Sequence, residues 1–372
     1  MAVYTKVSAE EIGHFLKRFD VGTLVSAKGI AEGVENSNYL LETTQGQYIL
    51  TLYEKRVDPA DLPFFIALLD HLAAHGCKVP PMIADREGEK IQQLCGRSAC
   101  LIVFLPGVSV SHPAEAQARS TGQALGEMHR ALADFAPERR NMMDHDGWRT
   151  LADQCGEAQL DHIAPGLASV VAKELDHLDE HWPHALPRSA IHADLFPDNV
   201  LMLGDRVTGL IDFYFSCTDI RAYDLAVTHA AWCFSEDGGD FHGPISRALI
   251  GGYESAFPIS DAERRALPLL ARGAALQPMR WSRARTRRPF SVGCNITKPT
   301  RKFLKYDRHE NCGNRDRWRL QGQSGAGRLG RADPAWRQGK GNLRRGGGYD
   351  QQPHGTARSD RGAQRAEPPL QG

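Results

Sequence analysis

Nowhere in the 372 residues does an apolar run reach the roughly 18–20 positions that a membrane-spanning helix needs. No Cys-x-x-Cys pair occurs among the eight cysteines, which argues against a zinc site of that kind. A chain this long does not need disulfide staples, so the cysteines are expected to be buried thiols. The start, Met-Ala-Val-Tyr-Thr-Lys, leads into a polar helix and not into an apolar signal core. A cytoplasmic protein is the expectation.

Net charge is also missing, at +0, but the zero hides a split. Positions 277–372 hold 18 Arg and 4 Lys against 5 Asp and 2 Glu, a surplus of +15. The first 276 residues therefore carry −15, which argues against nonspecific nucleic-acid binding by that part. Positions 277–372 are also short of Val, Ile, Leu and Phe, with nine among 96 residues. So few apolar side chains cannot offset the conformational entropy of folding, and a disordered basic tail is expected.

What is present before position 277 is patterned. Ser8 and Glu11 have capping-box spacing, and Ile12, Phe15, Leu16 and Phe19 follow as one helical stripe. Short runs at 22–28, 37–43 and 47–53 read as strands, the last two joined as a hairpin by Thr44-Gln45-Gly46. A helix is expected over 59–76, then strands over 90–94 and 99–104. Beyond His112-Pro113 the pattern is helical, over 115–135, 148–160, 165–181, 222–234, 245–257 and 267–276. Gly122 and Gly126 lie one turn apart, which suits close helix packing. Ser260 and Glu263 form a second capping-box pair.

The strongest chemical signal is Ile191-His192-Ala193-Asp194-Leu195-Phe196-Pro197-Asp198-Asn199-Val200-Leu201, of the form H-x-D-x-x-x-x-N. An apolar strand ending in an acid follows, Gly209-Leu210-Ile211-Asp212-Phe213. This resembles the kinase arrangement of a catalytic Asp, an Asn five residues on, and a metal-binding Asp after a strand. Phosphoryl transfer to a hydroxyl needs a carboxylate that orients the hydroxyl and accepts its proton. It also needs hard oxygen ligands for Mg²⁺. Asp194 is the candidate base, and Asn199 and Asp212 are the candidate metal ligands. Asp198 reads as a turn acid.

These blocks, with Ala222-Tyr223-Asp224-Leu225-Ala226, resemble the aminoglycoside-phosphotransferase-like kinases. Four further blocks resemble bacterial homoserine kinases of that fold, over roughly 1–276, and Glu35 to Tyr39 with Tyr48 to Glu54 are what narrow the resemblance to them. The four blocks are Glu32-Gly33-Val34-Glu35-Asn36-Ser37-Asn38-Tyr39, Gly46 to Glu54, Phe104-Leu105-Pro106-Gly107, and Gly122 to His129. The resemblance implies an α+β, two-lobed protein-kinase-like fold. A sheet lobe would span 1–104 and a mainly helical catalytic and substrate lobe 105–276. It implies phosphorylation of L-homoserine by ATP with Mg²⁺, on the route to threonine.

By position, the turn containing Gly29, Gly33, Asn36 and Ser37 would lie over the ATP phosphates. Phe104 and Leu105 would be the hinge that meets adenine, and Asp224 would brace the catalytic loop. Thr51 stands where eukaryotic-type kinases carry a phosphate-binding Lys. Strand alternation puts Thr51 on one face with Ile49 and Tyr53.

Two other readings stay open. One is a same-fold kinase for another alcohol, an aminoglycoside or choline. The other is a degenerate kinase body with a nucleic-acid-binding tail.

The tail itself reads as out-of-frame translation. Shifted codons for positions 279–290 permit a sequence resembling the end of the kinase. Those for 316–330 and 349–369 permit one resembling the N-terminal half of a bacterial ribonuclease H. Loss of the family's helical end would leave apolar surface exposed around 267–276.

Overall fold

A computed structural model describes residues 5–30, 36–54, 58–235 and 240–276. The expectations for 277–372 and for Gly33 lie outside these residues.

Helix α1 (Ala9–Leu16) opens the described chain. Its capping box is formed, with Ser8 Oγ accepting from the Glu11 N–H and the Glu11 carboxylate accepting from the Ser8 N–H. Six strands then make one antiparallel sheet: β1 (Leu24–Gly29), β2 (Asn36–Thr43), β3 (Gly46–Tyr53), β4 (Met82–Ile83), β5 (Gln92–Leu94) and β6 (Arg97–Val103). Their order is β1-β2-β3-β6-β4, with β5 hairpinned onto β6.

Alternation along β3 divides the sheet's two faces. Leu50 and Leu52 pack with Ile12, Phe15, Leu16 and Phe19 in one core. Ile49 and Tyr53 belong to a second core with α2 (Leu62–Ala74). This second core continues into the helical half through α3 (Glu115–Ala131).

The helical half adds α4 (His145–Cys155), α5 (Glu157–Ile163), α6 (Leu167–His181), α7 (Arg221–Trp232), α8 (Gly243–Ala256) and α9 (Asp261–Leu276). Two short two-stranded antiparallel sheets sit among them. One pairs β7 (Arg188–Ile191) with β10 (Cys217–Ile220), the other β8 (Val200–Leu203) with β9 (Arg206–Leu210). Helix α3 lies on α8 at backbone distance: a Cβ at Gly122 would stand 1.9 Å from the Leu249 carbonyl oxygen. The close-packing expectation for Gly122 and Gly126 therefore holds.

Several boundaries differ from the sequence expectation. The helix expected over 148–160 is two helices, broken at Gly156, whose φ of 74° ends α4. The helix expected from 59 begins as a 3₁₀ turn, Pro59–Asp61. The strand expected over 90–94 is reduced to β5.

The apolar side of α9 is not exposed: Leu267, Leu270 and Leu276 are buried, and Gly273 abuts Trp148 and Trp182. The Ser260–Glu263 box caps that helix, and Arg221 pairs with Glu263.

Cys77, Cys95, Cys100, Cys217 and Cys233 are free thiols, with Cys95 exposed. Cys155 is disulfide-bonded, contrary to expectation. No described helix is long and apolar enough to cross a membrane.

Candidate functional site

Strand β7 delivers the chain into a buried loop, His192 to Asn199, that returns through a 3₁₀ turn (Pro197–Asn199) into β8. Strand β9 then leads to Asp212. Ala193 and Asp212 are non-glycine residues with left-handed backbones, at φ 63° and 65°. Such conformations cost about 1–2 kcal/mol each, so surrounding contacts must hold them.

Those contacts are specific. The buried Asp224 carboxylate, in the first turn of α7, accepts from the backbone N–H of His192 at 2.7 Å and of Ala193 at 2.8 Å. His129 Nε2 donates to the same carboxylate at 3.0 Å, and His129 Nδ1 is bonded to the Tyr253 hydroxyl at 2.8 Å. Burial alone would raise the Asp224 pKa. The hydrogen bonds from the His129 ring and the His192 N–H override it and hold the carboxyl below its ordinary value. Trp232 Nε1 donates to the Leu195 carbonyl at 3.0 Å.

His192 couples the two halves of the site. Its Nε2 donates to the Ile211 carbonyl at 3.0 Å, beside Asp212, and its Nδ1 accepts from the Asp194 N–H at 3.3 Å. Burial pushes its pKa down, in keeping with a neutral ring that uses both nitrogens.

Asp194 is 1% exposed and Asn199 7%. Asn199 Nδ2 donates to the Asp194 carbonyl at 2.7 Å and to Asp194 Oδ2 at 3.2 Å. The Asn199 carbonyl accepts from the Ile211 N–H at 3.0 Å. The loop and the segment carrying Asp212 are thus tied side by side. Asp198 is an exposed member of the turn, as its sequence context suggests. The donors that Asp212 and Asn199 offer are a carboxylate and an amide oxygen, and the neighbouring imidazole nitrogens are already engaged. That set fits a hard cation such as Mg²⁺.

The remaining candidates lie on the sheet. Gly29 ends β1, exposed, opposite Tyr39 of β2. Asn36 Oδ1 accepts from the Glu54 N–H at 3.4 Å, and Ser37 Oγ donates to Glu54 Oε1 at 2.7 Å. Both side chains are therefore engaged at the end of β3. Phe104 and Leu105 follow β6 on the segment that crosses to the β8–β9 hairpin. Leu105 packs on Gly209, and the Pro106 carbonyl accepts from Thr208 Oγ1 at 2.5 Å.

Sequence reading assigned no role to His192, His129 or Trp232. The block Gly122 to His129 contains one of them, but its partner Asp224 lies 95 residues away.

The model of the phosphotransferase enzyme family matches residues 26–259. A homoserine kinase of Zymomonas mobilis is 52% identical over 278 residues, 74% of this chain and 87% of that protein. Those of Xanthobacter autotrophicus and Methylobacterium radiotolerans are 52% and 53% identical over 277 and 279 residues, each covered to 86%. Among solved structures, spectinomycin phosphotransferase with ADP and spectinomycin aligns with a TM-score of 0.58 at 13% identity. That alignment covers 74% of this chain and 87% of that one. A microcompartment-associated aminopropanol kinase aligns with a TM-score of 0.55 at 18% identity, covering 76% and 91%. At such identities the structures speak for the two-lobed kinase-like α+β fold alone, whereas the sequence matches go further. The chain belongs to the phosphotransferase enzyme family and, within it, to the homoserine kinase group.

Proposed function

We propose that the chain transfers the γ-phosphoryl group of ATP to the side-chain hydroxyl of L-homoserine, giving O-phospho-L-homoserine and ADP. One observation carries this reading. A chain about 52% identical to homoserine kinases over 86–87% of their length sets an Asp194 carboxylate, held by Asn199, beside the segment bearing Asp212.

In this reading the homoserine oxygen attacks the γ-phosphorus and the bond to the β–γ bridging oxygen breaks. Asp194 orients the hydroxyl and takes its proton. Its neighbour Asn199 keeps one carboxylate oxygen occupied, which fixes the direction of the other. Asn199 and Asp212 would hold Mg²⁺, which when bound with ATP neutralises charge on the β- and γ-phosphates. Gly29, Gly33, Asn36 and Ser37 belong to the turn assigned to the phosphates, with Asn36 and Ser37 acting mainly by anchoring that turn to Glu54. The backbone of Phe104 and Leu105 is assigned to adenine. A reaction that consumes ATP on a free amino acid belongs in the cytoplasm.

The test is a panel of alcohols with ATP and Mg²⁺, containing L-homoserine, L-serine, choline and kanamycin, with products identified by ³¹P NMR. Homoserine should turn over with the highest kcat/KM. Turnover of another alcohol with none of homoserine would overturn the assignment.

A further inference from the structure

The slot where a phosphate-binding Lys is absent is filled by a neutral network. Thr51 faces the second core together with Ile49 and Tyr53. Its Oγ1 donates to Asn38 Oδ1 at 2.8 Å across the β2–β3 ladder. The Tyr214 hydroxyl donates to the Tyr53 hydroxyl at 3.3 Å. Tyr53 is bonded in turn to Cys100 Sγ of β6 at 3.2 Å. The Tyr214 ring stands edge-on to Tyr53 of β3, centroids 5.5 Å apart, and to Phe65 of α2, 5.7 Å apart.

Tyr214 lies two residues after Asp212, in a 3₁₀ turn (Phe213–Phe215) whose N-cap is Asp212 itself. Asp212 has a left-handed backbone, which needs support on both sides. On the N-terminal side, His192 and Asn199 fix Ile211. On the C-terminal side, Tyr214 contacts β3 and α2, the elements from which other kinases build a Lys–acid bridge.

We propose that Tyr214, bonded to Tyr53 of β3, is a positioning residue that sets Asp212 relative to the nucleotide-binding sheet, replacing a charged bridge with neutral hydroxyls. This rests on the reading of Asp212 as a metal ligand. A rigid turn of three residues transmits the position of the phenol to Asp212. Loss of the phenol oxygen leaves the turn's ring packing but removes its tether to β3.

The experiment compares Tyr214→Phe, Tyr53→Phe and the double variant in the full chain. It measures the Mg²⁺ concentration for half-maximal rate, homoserine KM, kcat, melting temperature and Mg·ADP affinity by calorimetry. Tyr214→Phe should raise the Mg²⁺ half-activation concentration about five- to tenfold and weaken Mg·ADP binding similarly, with homoserine KM unchanged. Tyr53→Phe should shift both in the same direction. The double variant should be no worse than Tyr214→Phe alone, because both cut one tether.

A Tyr214→Phe enzyme that melts lower but keeps its Mg²⁺ response would overturn the proposal, as would losses that multiply in the double variant. Should Tyr214→Phe fail to fold, an unchanged Mg²⁺ response in Tyr53→Phe overturns it equally. Calorimetry needs no acceptor, so failure here is separate from failure of homoserine as the substrate.

Discussion

Asn199 grips Asp194 twice, through its Nδ2, at the backbone carbonyl (2.7 Å) and at carboxylate Oδ2 (3.2 Å). The residue proposed as metal ligand therefore also orients the residue proposed as base. One side chain couples the two roles, and the first two predictions depend on that coupling.

Asp194→Asn preserves shape but cannot accept the hydroxyl proton. Its kcat should fall about 10²–10⁴-fold with ATP KM little changed. Steady-state kinetics check it, and near-normal turnover would remove Asp194 from the role of base.

Asp212→Ala removes an anionic metal ligand and should abolish Mg²⁺-dependent turnover. Asn199→Ala removes only a neutral donor from the metal but also frees Asp194. It should lose less Mg²⁺ affinity than Asp212→Ala while still losing kcat at saturating Mg²⁺. Titrating Mg²⁺ against both variants separates the effects, and equal, small losses would put the metal elsewhere.

Much of this site was legible in local sequence. The H-x-D-x-x-x-x-N spacing works because a single buried loop carries it, and the alternation of Tyr48 to Tyr53 works because period-two patterning survives in a sheet covered on both faces. Both capping boxes are local and formed as read. What sequence did not disclose is non-local. Strand β10 pairs with β7 across 26 or more residues, and its four residues, Cys217–Ile220, carry little strand signal. The bond from His129 to Asp224 depends on two helices meeting in space. Gly156 breaks a helix that its apolar periodicity would have continued, because backbone conformation there overrides the pattern.

The Asp224 brace should matter for both stability and rate. Asp224→Ala would leave the N–H groups of His192 and Ala193 without their buried acceptor, each costing about 1–3 kcal/mol. A domain of ordinary stability, about 5–15 kcal/mol, would lose a large fraction of it. Urea unfolding should show the midpoint falling sharply, and any folded fraction should have reduced kcat because the loop carrying Asp194 is unheld. A variant with wild-type midpoint and rate would show that Trp232 and His192 suffice to hold the loop.

Gly122→Ala probes how closely α3 and α8 approach. The added methyl would meet Leu249 backbone at 1.9 Å, and backbone cannot swing aside as a flexible side chain would. Overpacking of this kind costs about 1–3 kcal/mol or more. Gly13→Ala, where a Cβ meets nothing within 4 Å, is the control and should be neutral or mildly stabilising. Equal melting temperatures for the two variants would contradict the packing.

Buried ionisable groups predict a dome of stability against pH. Burial pushes His229 down to about 4 from 6.5, and pushes His192 in the same direction. Above pH 6.5 neither the native nor the unfolded chain protonates them appreciably. As pH falls below 6.5 the unfolded chain binds protons that the native ring refuses, so stability falls with pH. The slope approaches about 1.4 kcal/mol per unit for each histidine until its native value is reached. On the alkaline side the signs reverse. Burial pushes the thiols of Cys100, Cys217 and Cys233 well above their ordinary value of 9.0, so the native chain keeps protons that the unfolded chain releases. Stability should therefore fall again as pH rises through about 9. Urea midpoints measured from pH 4.5 to 10 should be greatest between about 7 and 8.5. His229→Asn should flatten the acid limb by about one histidine's slope. An acid limb unchanged in that variant would mean that water reaches His229 and that the ring titrates normally in the folded protein.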